Sequence, residues 1–204
     1  MSRDEHNTEA SFRRSFALGF GTETDIRDHD GEIVISHDPA RAGAMPFRRF
    51  LEIYRESTTE PLPLALNIKA DGLQEQIAGA LNEHGIQNYF LFDMSVPDAI
   101  QSLRAHLICF TRISDIEPVP SFYEQAAGIW LDGFHSDWFD ADDILPHLGA
   151  GKSVCIVSPE LHGRNPTPSW ERLAGSSEIL ASNKVFLCTD LPERARTEFP
   201  CIEK

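Results

Sequence analysis

Short apolar runs alternate along this chain with stretches whose apolar residues recur every three or four positions. The first kind of pattern predicts strands and the second predicts helices. From the start the reading is a helix over Thr8–Leu18 and a strand over Gly21–Arg27, then an Asp30-Gly31 hairpin signal leading into a second strand, Glu32–His37. A helix over Phe47–Arg55, a strand over Leu64–Lys69 and a helix over Leu73–Glu83, stopped by Gly85, follow. The alternation continues with strand Tyr89–Asp93, helix Pro97–Ala105, strand Leu107–Thr111 and a helical stretch over Phe122–Ala127. Strand Gly128–Phe134, helix Asp140–Leu148, strand Ser153–Ser158, helix Ser169–Ala174, strand Lys184–Thr189 and helix Glu193–Phe199 complete it. Phe12 and Phe16, at helical spacing, and Tyr89, Phe90 and Phe92 are the expected core aromatics.

Strands that alternate with helices build a parallel sheet with helical crossovers. With the hairpin's return arm set aside, seven such strands are predicted. The candidates are a (β/α)8 barrel and an open doubly wound sheet. No G-x-G-x-x-G follows an opening strand. The GAGKS run at 149–153 lacks full phosphate-loop spacing and precedes a strand, so both nucleotide-binding readings fail on context. The chain shows no internal repeat, low-complexity tract or dividing linker. The expectation is therefore α/β: one TIM-barrel-like domain over residues 1–204, lacking its first strand, with a β-hairpin inserted after the first strand seen.

Composition narrows the partners. Eighteen Lys and Arg against 32 Asp and Glu leave a net charge of −14. Nucleic acid and anionic membranes both need a basic footprint, so neither is the expected partner. A small phosphate ligand is compatible with this charge if a local cation receives it. No apolar run approaches the ~20 residues of a membrane-spanning helix. The opening MSRDEHNTEASFRRSF shows no secretory signal. Cys109, Cys155 and Cys188 sit in apolar runs, Cys201 lies in the tail, and no C-x-x-C pair exists. Buried reduced thiols, and with them a cytoplasmic setting, are the expectation. The oligomeric state is not legible.

The stretch GTETDIRDHDGEIVISHDP (21–39) is the richest in chemistry. Residues two apart on a strand share a face, so Glu23 and Asp25 point the same way. Two carboxylates so placed repel unless a cation lies between them, which suits a hard divalent ion such as Mg²⁺ or Ca²⁺. The plain alternative is a solvated edge with two surface acids. In a covered parallel barrel, however, neither strand face is readily solvated. After the hairpin, Ile33, Ile35 and His37 fall on one face, while Asp38 reads as a turn residue before Pro39. In LALNIKAD (64–71), Asn67 and Lys69 share a face. A lysine at the mouth end of a buried strand can bind phosphate or, desolvated, attack a carbonyl; its plain alternative snorkels to solvent.

These residues resemble the glycerophosphodiester phosphodiesterases, the metal-dependent branch of the phosphatidylinositol-phospholipase-C-like barrels. GTETDIRDHDGEIVISHD is similar to that family's Glu-x-Asp strand, Asp-Gly hairpin and strand ending in His-Asp. NTEASFRRSFALG resembles its Asn-Thr helix, LNIK stands where the family has Glu-x-Lys, and VFLCTDLP resembles its closing strand. The resemblance implies Glu23 and Asp25 as metal ligands and His37 as one of two acid/base histidines. It implies Lys69 as a phosphate or leaving-oxygen contact, a divalent cation, and a small-molecule or lipid-derived phosphodiester as substrate. Two departures stand out. The family's opening strand, which ends in His-Arg-Gly, does not precede Asn7, a pattern expected of a truncated record. Asn67 replaces the third acidic ligand and offers only a neutral oxygen.

Arg112 and Asp132 fall at or near strand ends, where barrel enzymes carry their sites, and are the candidate substrate contacts. His135, Asp137 and Trp138 read as a turn. Two other functions compete with the phosphodiesterase: a class I aldolase-like enzyme using Lys69 as its Schiff-base amine, and a barrel that binds a ligand or partner without turnover.

Overall fold

The computed structural model describes residues 6–199, and the chain divides into two units, Met1–Cys109 and Phe110–Lys204. The first unit opens with helix α1 (Glu9–Ala17), whose N-cap Thr8 accepts the Ser11 N–H at 3.3 Å. Phe12 and Phe16 form its buried stripe against α2 (Phe47–Ser57). Phe12 meets Phe50 edge-on at 4.7 Å between centroids, and Phe16 meets Tyr54 likewise at 5.0 Å, the geometry ring quadrupoles favour.

Strands β1 (Thr22–His29) and β2 (Glu32–Ile35) form the expected antiparallel hairpin. Asp30 and Gly31 both adopt positive φ, 49° and 83°, as a two-residue turn matched to strand twist requires. A short β3 (Met45–Pro46) pairs with β2. On its other side β1 pairs in parallel with β4 (Leu64–Ile68), and β4 with β5 (Tyr89–Phe92), giving the order β3-β2-β1-β4-β5. Helices α3 (Gln74–Glu83) and α4 (Val96–Arg104) are the connections that follow β4 and β5. Every residue of β4 is buried, as a strand covered on both faces should be.

Two expectations about strand ends are corrected here. β2 stops at Ile35 because the next residues turn: Ser36 Oγ donates to the Asp38 carbonyl at 2.8 Å. His37 therefore leaves the face of Ile33 and Ile35 and is exposed. The strand expected from Leu107 begins at Phe110 instead, since the Leu107 N–H is taken by the Ser102 carbonyl at 3.0 Å and so closes α4.

The second unit holds β6 (Phe110–Ser114), β7 (Gly128–Asp132), β8 (Ser153–Val157) and β9 (Val185–Cys188), all parallel and in that order. Helices α5 (Ala141–Gly149), α6 (Thr167–Ala174), α7 (Ser177–Ala181) and α8 (Pro192–Glu198) accompany them. Asp140 caps α5 in a capping box with Asp143. The helical stretch expected at 122–127 is only a turn, closed by the Ala126 N–H on the Phe122 carbonyl at 3.1 Å. Ile113, Ile129, Leu131, Val154 and Ile156 bury one face of this sheet with Phe139, Ile144, Leu173 and Ile179. By alternation, Arg112, Trp130, Asp132 and Cys155 lie on the other face.

The α/β class holds, and the seven expected parallel strands are β1, β4, β5, β6, β7, β8 and β9. They pair as two sheets, one mixed and one parallel, where a single ring was expected. Cys109, Cys155 and Cys188 form no disulfide, and Cys201 lies outside the described residues. No helix among the described residues is long and apolar enough to cross a membrane.

Candidate functional site

The site in the first unit is written into the register of two strands. Asp25 lies opposite Asn67, and Glu23 opposite Ala65; partners in a parallel ladder project to the same side. Glu23, Asp25, Asn67 and Lys69 thus share one face, while Thr24 and Ile26 turn to the other. Lys69 continues the ladder, its N–H bonded to the Ile26 carbonyl at 2.9 Å, and its Nζ stands 3.4 Å from Asp25 Oδ1. Asn7 anchors the opposite oxygen: its Nδ2 donates to Asp25 Oδ2 at 3.3 Å, and its Oδ1 accepts from Thr24 Oγ1 at 2.8 Å.

Charge is crowded on this face. Burial pushes the Glu23 carboxyl up to about 8, and the Asp25 charge adds to the rise. Lys69 and a hydrogen bond from Asn67 pull the other way, and Asp93 raises it further. Asn67 is 8 % exposed, and its Oδ1 is buried with no hydrogen-bond donor. An orphaned amide oxygen is costly, and here it stands on the same face as two carboxylates.

His37 is not brought to this group. Its side chain is 72 % exposed, its Nδ1 lies 3.1 Å from Asp38 Oδ1, and its carbonyl accepts from Arg27. A groove of about 620 Å³, lined in part by Asn7, Ser36, Asp38 and Arg41, runs along the loop that carries His37.

Arg112 and Asp132 belong to the second unit. The Arg112 guanidinium lies over the Phe134 ring, 5.2 Å from its centroid. Asp132, 4 % exposed at the end of β7, has Oδ1 at 2.7 Å from His162 Nε2. His162 ends a short 3-10 turn, Pro159–His162, immediately after β8, and its ring packs on Phe134 at 5.3 Å.

Three participants escape the sequence reading. Asn7 reads as part of a helix start, yet it sits at φ 57° and spans Thr24 and Asp25. Asp93 follows β5 at φ 63°, a left-handed conformation that Asp tolerates better than most residues. An acid ending the apolar run YFLFD was the available signal. His162 carried none, because its partner Asp132 is distant in sequence.

No family model matches the chain, and no curated protein matches it. Among solved structures, the fold is similar to that of a glycerophosphodiester phosphodiesterase from Agrobacterium tumefaciens str. C58. The two are 15 % identical, with a TM-score of 0.64 and 89 % of each chain covered. A glycerophosphodiester phosphodiesterase from Thermotoga maritima is 13 % identical with a TM-score of 0.43, covering 94 % of this chain and 83 % of its own. An aldo-keto reductase from Bacillus halodurans is 13 % identical at 0.46, covering 98 % and 84 %. At such identity the first of these speaks to the fold alone, and the fold it defines is an α/β one like that of the glycerophosphodiester phosphodiesterases.

Proposed function

We propose that the chain is a metal-dependent phosphodiester hydrolase resembling the glycerophosphodiester phosphodiesterases, acting on a small or lipid-derived phosphodiester. The observation that carries this reading is the oxygen-rich face of β1 and β4, where Glu23, Asp25 and Asn67 project together. The likeness in fold to a glycerophosphodiester phosphodiesterase supports it.

The donor set fits a hard cation. Glu23 keeps its proton to about pH 8 because it is buried, with the Asp25 charge adding to the rise, and the Asn67 oxygen lacks a donor; a divalent ion would relieve both. Glu23, Asp25 and Asn67 would hold Mg²⁺ or Ca²⁺, and the ion would supply charge neutralisation at the phosphoryl oxygens. Lys69 presents an ammonium beside the acids that can receive an anionic oxygen. Asn7 holds Asp25 in orientation. His37 is 72 % exposed and stands apart from these acids, so this reading routes no proton through it.

The test is hydrolysis of bis(p-nitrophenyl) phosphate by the full chain. Turnover is expected to vanish in excess chelator, to return with Mg²⁺ or Ca²⁺, and to be lost in Asp25→Ala. Turnover that ignores the chelator and survives Asp25→Ala overturns the proposal.

A further inference from the structure

We propose that Asp93, at the end of β5, supplies the negative charge that the neutral Asn67 does not, by accepting from a water carried on the divalent ion. The inference rests on the hydrolase reading for the presence of that ion. Every residue it uses belongs to the first unit.

The register brings Asp93 to the site, and its backbone turns it out of the strand. Phe92 pairs with Asn67 across β4 and β5, so Asp93 is the first residue beyond that rung. Continued alternation would set it with Ile26 and Ile68, on the face that Glu23, Asp25 and Asn67 do not share. At φ 63° the extended backbone has ended, and alternation no longer governs the residue. Asp93 Oδ1 is buried, and the Asp93 charge acts on the Glu23 carboxyl. A buried acid within electrostatic reach of Glu23 thus flanks the Asn67 oxygen that has no donor.

The segments that follow Lys69 and Asp93 are tied to each other. Asp98, buried in the first turn of α4, accepts the Gly72 N–H at 2.7 Å and Gln74 Nε2 at 2.5 Å. Ser95, the N-cap of α4, donates from Oγ to Asp71 Oδ2 at 3.0 Å. These bonds hold the ends of β4 and β5 in one arrangement, and such support suits residues that must keep their place around an ion.

Charge and reach define the role. Glu23 and Asp25 alone would face the Lys69 ammonium and a divalent ion with one negative charge too few, and an ionised Asp93 completes the balance. Among the described residues no three Asp, Glu, His or Cys side chains are grouped so as to hold one ion directly. A water on the ion spans that gap, because it donates and a carboxylate accepts. Mg²⁺ keeps several of its waters when bound by protein, whereas Ca²⁺ takes more oxygen ligands directly.

The experiment measures Mg²⁺ and Ca²⁺ binding by isothermal titration calorimetry in wild type, Asp93→Asn and the double variant Asn67→Asp/Asp93→Asn. Asn tolerates the left-handed backbone as Asp does, so the single substitution removes the charge and leaves the turn. Circular dichroism in chelator checks the fold; if Asp93→Asn fails it, Asp93→Gly, which suits the same φ, is measured instead. We expect Mg²⁺ affinity to fall about 10–100-fold in Asp93→Asn and Ca²⁺ affinity to fall less. Returning the carboxylate at position 67 should bring Mg²⁺ affinity back toward wild type. If wild type binds Mg²⁺ and Asp93→Asn binds it equally well, Asp93 has no part in the site. Equal losses for both ions, or no recovery in the double variant, would overturn the water-mediated charge role. If wild type binds neither ion, the metal-dependent reading itself fails and this inference goes with it.

Discussion

Asp25 and Asn67 are register partners across β1 and β4, so a carboxylate and an amide oxygen without a donor leave the sheet on the same side. Lys69, one position beyond the end of β4 on that face, stands 3.4 Å from Asp25. The acids are thus held by one ammonium and, on Glu23, one proton. A divalent ion bound as proposed would meet these same oxygens.

Asn67→Asp tests this directly. A third carboxylate should tighten Mg²⁺ or Ca²⁺ binding, measured by isothermal titration calorimetry. In chelator it should lower stability by roughly 1–3 kcal/mol, the scale of an uncompensated buried polar change. Unchanged affinity would separate Asn67 from the cation site.

Lys69→Met removes the one ammonium paired with Asp25. Breaking a buried ion pair from one side costs about 3–5 kcal/mol, and Lys69 is 23 % exposed, so a loss toward about 2 kcal/mol is expected in urea denaturation at neutral pH. Added divalent ion should recover part of it.

Stability without metal should depend on pH through Glu23. Its folded carboxyl holds a proton to about 8 against an ordinary value of 4.5, so the folded state binds the extra proton between those limits. The contribution is fully present below about pH 4.5, declines as pH rises, and is gone above about 8. Thermal denaturation in chelator should show this slope in wild type and not in Glu23→Gln, and a divalent ion should flatten it.

Asp115→Ala should free three backbone N–H groups of the loop at 134–136. Hydrogen exchange at those amides is expected to accelerate, with global stability reduced by roughly 1–3 kcal/mol. Exchange at wild-type rates would mean that Arg164, which binds the Gly133 and Phe134 carbonyls, alone holds the loop.

Cys109 offers a check on the first unit's core. Burial, aided by the Asp98 charge, pushes its thiol up to about 12, and only thiolate reacts. Disulfide reagents at pH 8 should therefore modify it only after denaturant is added. Prompt reaction in native buffer would show that the core opens there.

How much could be read without coordinates depends on how far apart the deciding residues lie. The order of strands and helices, the Asp30-Gly31 turn and the shared direction of Glu23 and Asp25 follow from period and turn chemistry, which are properties of near neighbours. The ends of strands were less legible. His37 continues the alternation of Ile33 and Ile35 on paper, but a local Ser36 hydrogen bond ends the strand first. Leu107 looks like a strand start until its N–H is counted with the preceding helix.

The sequence by itself determined that this chain alternates strands with helices and carries two acids on one strand face, since both are set by side chains a few positions apart. Only the tertiary structure decided that Asn7 and Lys69 would divide the oxygens of Asp25, that Asn67 would be left with a buried bare oxygen, and that Asp132 would meet His162. Those relations depend on which strands become neighbours and in what register, and register is fixed by the burial of whole sheet faces rather than by any local stretch of chain.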